Sequence, residues 1–81
     1  MGIREFLKIV REKGILKGSI EDEERWKIGK YLVEINKNGF CVSREKLIIY
    51  AFFNGKEIIS KVSIEEIFQE IQGIEKISSL F

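Results

Sequence analysis

Leu47-Ile48-Ile49-Tyr50-Ala51-Phe52-Phe53-Asn54-Gly55-Lys56 is the stretch whose reading decides the fold. Its first seven residues are rich in β-branched and aromatic side chains, which suit a packed, pleated strand. They run into Asn54-Gly55, the dipeptide that best tolerates the positive φ angles of a two-residue type I′ hairpin turn. The return strand then covers residues 56–62. Both faces of 47–53 are apolar, as expected of a central strand or of one whose second face is covered by a helix or another subunit.

Upstream, residues 31–35 meet 40–43 across Asn36-Lys37-Asn38-Gly39, a second hairpin-like loop with glycine at its end. The same region admits a helical reading. Ser19 precedes the acidic run Glu21-Asp22-Glu23-Glu24, and Ile28, Tyr31, Leu32 and Ile35 recur at i, i+3, i+4 and i+7 before Asn38-Gly39. Residues 20–37 would then be helical, Ser43 would cap a second helix through Phe53, and the fold would be a small bundle. The Phe52-Phe53-Asn54-Gly55-Lys56 turn favours strands, because a bundle explains it less well.

The two ends read as helices. Ile3, Phe6, Leu7 and Val10 fall on one face, and Gly14 supplies a left-handed stop after Arg11 and Lys13. Ser63 and Glu66 make a capping box, followed by Ile64, Ile67, Phe68 and Ile71 at helical spacing. Gly73 weakens or ends this helix, although Ile74, Ile77 and Phe81 could continue its stripe. The expected architecture is a single α+β domain over 1–81. Helix 2–13 precedes an antiparallel meander of three to four strands over about 26–62, and helix 63–72 or longer follows. Both helices would cover one sheet face, leaving the other face or an edge for self-association or a partner strand.

Composition narrows the function classes. The chain has 81 residues, 44% hydrophobic and 33% charged, no histidine and one cysteine. Without histidine it lacks the side chain most used for proton transfer near neutral pH and for metal ligation. A lone cysteine forms no internal disulfide, and small secreted domains usually need several, so a cytoplasmic home is expected. The N-terminus lacks the apolar core of a signal peptide, and no run approaches the length of a membrane span. The abundance of lysine, glutamate and isoleucine fits a thermophile, as does the scarcity of glutamine. The two Asn-Gly pairs cut against heat, and an AT-rich genome, such as that of a virus or plasmid, gives the same excess. Net charge is +1 but blockwise: residues 1–20 and 26–62 are basic, while 21–25 and 63–81 are acidic.

Each candidate site has a plainer alternative. Cys41 sits between Phe40 and Val42 with no base to activate it, so it reads as structural. The consecutive acids Glu21 to Glu24 match neither a calcium loop nor a glycosidase pair, and read as a solvated helix start or loop. Gly14-Ile15-Leu16-Lys17-Gly18-Ser19 fails the phosphate-loop spacing and reads as a connector. Arg4, Lys8 and Arg11 form a basic helix face able to follow phosphates, though Glu5 and Glu12 dilute it. Ile74, Ile77, Leu80 and Phe81 are either core or a partner or dimer surface. The reading expects no catalytic residues, metal, cofactor or small-molecule substrate, and no membrane partner. It favours a non-enzymatic protein-binding or regulatory module, self-associating as a homodimer. The alternative is a small nucleic-acid-binding protein using Arg4, Lys8 and Arg11.

Overall fold

Turns of two residues set the architecture. Glu21-Asp22, Gly29-Lys30, Lys37-Asn38, Glu45-Lys46 and Asn54-Gly55 each join two strands that pair antiparallel. The computed structural model describes residues 2–80, with side chains over 2–73. In chain order the elements are α1 (Ile3–Lys13), β1 (Ile15–Ile20), β2 (Glu23–Ile28), β3 (Tyr31–Asn36), β4 (Gly39–Arg44), β5 (Leu47–Phe53), β6 (Lys56–Ser60) and α2 (Ile64–Leu80). The strands form one sheet in the order β1-β2-β3-β4-β5-β6.

The α+β class holds, but the meander has six strands where the sequence reading expects three to four. Residues 14–19, read as a connector, lie almost wholly in β1, and the acidic run divides between the first turn and β2. Neither helix of the bundle reading forms. β1 escapes a pattern search because it is an edge strand with almost every side chain exposed, so neither of its faces is apolar by necessity.

Backbone chemistry accounts for the turns. Asn54 and Gly55 have φ of 53° and 78°, as a type I′ turn requires. Asn36 accepts hydrogen bonds at Oδ1 from the N–H groups of Asn38 (2.8 Å) and Gly39 (3.1 Å), an Asx turn that starts the third hairpin. Gly14 departs from expectation: its φ and ψ of −80° and 172° are extended, not left-handed. Its N–H still donates to the Val10 carbonyl at 2.8 Å. A Cβ there would sit 2.5 Å from that same carbonyl oxygen, so close approach accounts for the glycine.

β5 carries a bulge that explains its unbroken apolar run. Val42 pairs with Tyr50 while Ser43 pairs with Ile48, so Ile49 is the extra residue. Ile49 and Tyr50 are both buried. The Ile49 carbonyl accepts from the N–H groups of Lys61 (2.9 Å) and Val62 (3.3 Å), which turns the chain out of β6 toward α2. Ser63 Oγ then accepts from Glu66 N–H at 3.2 Å, the capping contact expected from the sequence. The helix runs past Gly73, where the sequence reading weakens or ends it.

The core lies between the helices and one sheet face. Phe6 and Val10 of α1 and Ile67 and Ile71 of α2 join Tyr31, Val33, Ile35, Phe40, Val42 and Tyr50. The Phe40 ring lies 5.7 Å from Phe6, 5.7 Å from Tyr50 and 6.1 Å from Phe52. Alternation along β3 is regular: Tyr31, Val33 and Ile35 are buried, while Leu32, Glu34 and Asn36 on the other face are only partly so.

Candidate protein-binding face

The face opposite the helices is the surface the fold leaves uncovered, and strand register places its residues in three transverse rows. At one end Ile15, Lys27, Leu32, Ser43 and Ile48 line up. Gly18, Arg25, Glu34, Cys41, Ala51 and Ile59 form the middle row. Ile20, Glu23, Asn36, Gly39, Phe53 and Lys56 form the row at the far end. Ile15 is 61% exposed, Ile20 74% and Ile48 43%, while Leu32, Phe53 and Ile59 are half-buried. Ile58, the extra residue of a bulge in β6, is 61% exposed. Among the described residues no element packs over this face.

Charges on the face are arranged by end. Glu21 and Asp22 in the first turn and Glu23 in the far row put acid at one end, with Lys37 beside them. The opposite end holds a concavity of about 480 Å³ with Leu32 and Ile48 as apolar lining, and with Lys27, Lys30 and Lys46 around it beside Glu34 and Glu45. Between the ends, Arg25 Nε donates to Glu34 Oε2 at 3.3 Å. Burial and then the Glu34 charge raise the pKa of the Cys41 thiol, the reverse of what a nucleophile needs.

On the covered side the titratable groups are engaged with one another. Arg11 grips Glu24 through two hydrogen bonds of 3.1 and 2.9 Å, and Trp26 Nε1 donates to the same carboxylate at 2.8 Å. The Arg11 bonds, then that of Trp26, lower the Glu24 pKa. Tyr31 donates to Glu70, whose carboxylate lies 3.4 Å from Lys30 Nζ. Burial first, then the Glu70 bond, push the Tyr31 hydroxyl up to about 12, against the opposing pull of Arg44. Tyr50 donates to Glu57 at 2.7 Å, and burial followed by that bond raises its pKa also.

The sequence-derived site residues fall as follows. Arg4, Lys8 and Arg11 all lie on α1, but Arg11 is committed to Glu24 and Lys8 is 3.9 Å from Glu12. The side chains of Ile74, Ile77 and Leu80, and the whole of Phe81, lie outside the described residues. The sequence reading expects an open face but does not name its residues. Leu32, Phe53 and Ile59 become legible as a face only once the bulges and the register of β1 are known. Among the described residues no three His, Cys, Asp or Glu side chains gather in a way that could hold a metal ion. No described helix is long and apolar enough to cross a membrane. Comparison with protein families, curated proteins and solved structures finds no match to this chain.

Proposed function

We propose that this chain is a non-enzymatic protein-binding or regulatory module, working inside the cell, that self-associates through its open sheet face. The observation that carries this reading is the set Ile15, Ile20 and Ile48, exposed beside half-buried Leu32, Phe53 and Ile59 on a face neither helix covers. Six strands about 20 Å long and about 4.8 Å apart offer a flat footprint of about 500 Å². Two such faces remove about 1,000 Å² from water, just under the usual range of about 1,200–2,000 Å² for stable interfaces, which fits a weak, concentration-dependent dimer. The engaged carboxylates and the raised Cys41 thiol support a role without catalysis.

Size-exclusion chromatography with light scattering over a concentration series tests this reading. The mass is expected to rise from monomer toward dimer, and Leu32→Lys or Ile48→Lys to hold it at monomer. A wild-type monomer at every concentration refutes it. Nucleic-acid binding by Arg4, Lys8 and Arg11 is the weaker reading, since Arg11 and Lys8 already face carboxylates. Salt-sensitive binding to duplex or single-stranded DNA, lost on Arg4→Ala, would support it instead.

A further inference from the structure

We propose that the partner on the open face is a second copy of this chain, packed face to face with its strands antiparallel to those of the first. Glu23 of each copy would then lie over Lys27 of the other. The inference rests on the self-association proposed above and specifies its geometry.

Two-fold symmetry restricts the arrangement. A two-fold dimer presents the same patch twice, so that patch must complement itself. For two sheets packed face to face with their strands nearly aligned, the axis lies between them and runs close to the strands or close to their perpendicular. An axis along the strands exchanges β2 with β5. It sets the charged side chains of Glu23 and Lys27 against Phe53 and Ile48, leaving each charge desolvated on an apolar partner. An axis across the strands, through the middle row, turns each strand against itself and exchanges the two end rows. Glu23 then meets Lys27, Phe53 meets Ile48, and Ile20 meets Ile15. Charge meets opposite charge on β2 and apolar meets apolar on β1 and β5, while Leu32 on β3 meets Asn36.

Two further features agree with the transverse axis, and a third bears on it. Residues 21 to 30 are acidic at one end and basic at the other, with Arg25 at the centre of the exchange. The turn carrying Glu21 and Asp22 is carried over the end whose cavity is bordered by Lys27, Lys30 and Lys46, with Glu34 and Glu45 also in its lining. Arg25 and Glu34, already paired at 3.3 Å, lie close to the axis. An axis through this row also sets Arg25 over Arg25 and Glu34 over Glu34 of the other copy, a like-charge approach that the Arg25–Glu34 pair within each copy offsets. Glu23 and Lys27 are both exposed, and neither has an ion pair among the described residues, so both are available to a partner.

Charge reversal followed by mixing tests the arrangement in the intact chain. Glu23→Lys alone and Lys27→Glu alone each place like charges across both symmetric contacts, and each is expected to weaken dimerisation at least tenfold. An equimolar mixture of the two variants restores both attractive contacts, and is expected to form heterodimers with nearly wild-type affinity. Glu12→Lys and Lys8→Glu, which change net charge equally on α1, are expected to leave the dimer unchanged alone and in mixture. Far-UV circular dichroism and urea melts check that all four variants are folded. Single variants that dimerise like the wild type, or a mixture that gains nothing, overturn the geometry while leaving self-association standing. A monomeric wild type removes both.

Discussion

Alanine at two glycines should give opposite effects, and the contrast tests the register on which the open face depends. Gly39 opens β4 and pairs with Phe53. A Cβ at Gly39 would collide with the Phe52 carbonyl oxygen and lie 2.8 Å from Phe53 Cα and 2.9 Å from the Phe52 carbonyl carbon. Ordinary carbon contacts are about 3.5–4.0 Å, so the β4–β5 pair must part by most of an ångström at this point. The atoms in the way are backbone, which a rotamer change cannot move aside. Overpacking of this kind costs about 1–3 kcal/mol, and weakening one ladder hydrogen bond adds about 1. Replacing glycine inside a strand returns about 0.5–1 kcal/mol. The net expectation for Gly39→Ala is a loss of about 1–3.5 kcal/mol, which lowers Tm by about 5–25 °C in a domain this small. Gly18 in β1 has nothing within 4 Å of the equivalent position, so Gly18→Ala keeps only the conformational gain of about 0.5 kcal/mol. Urea unfolding followed by far-UV circular dichroism measures both. A Gly39→Ala protein as stable as the wild type would refute the described pairing, as would equal losses at the two sites.

Other consequences are equally direct. Glu45 and Lys46 turn the chain between β4 and β5 at φ of 52° and 68°, without the asparagine and glycine that suit such angles. The double substitution Glu45→Asn, Lys46→Gly is expected to raise stability by about 1–2 kcal/mol in the same urea assay. Glu24 and Glu70 have folded-state pKa values below their unfolded ones, so their stabilisation is present above the usual carboxylate pKa and is lost as pH falls through the folded values. Tyr31 runs the other way: its contribution is complete below about 10 and is lost as pH rises toward about 12. Urea titrations across pH should show both declines, with the alkaline one shallower in Tyr31→Phe. Cys41, with its raised thiol pKa on the open face, is expected to react with a disulfide reagent at neutral pH more slowly than a free cysteine. Diluting the protein into its monomer range should speed that reaction.

Much of this fold is legible in the sequence wherever burial imposes a period. α1, α2 and the strands from Tyr31 onward carry stripes or turn dipeptides that the core requires. β1 and β2 lie where that pressure fails: β1 is an exposed edge, and β2 alternates Glu24, Trp26 and Ile28 with charged side chains of the open face. Ile28, Tyr31, Leu32 and Ile35 fit helical spacing as well as strand alternation, because short apolar runs satisfy both. Gly29, with φ of 58°, is the residue that could have decided between them, since a glycine in mid-helix is costly. The open face is less legible still. Its members come from six strands and three bulged pairings, and each bulge shifts which side chains share a row. The basic face of α1 is visible as spacing, whereas Arg11's engagement with Glu24 depends on where β2 passes beneath the helix.

An isotope-filtered NOE experiment on an equal mixture of ¹³C-labelled and unlabelled copies tests most directly whether the open sheet face is the surface of self-association. The account expects contacts between copies from the Ile48 methyls to the Phe53 ring and from Ile15 to Ile20, with none from Phe6, Val10 or Ile67. Contacts between copies confined to the helix side, or none at concentrations well above the dissociation constant, would contradict it.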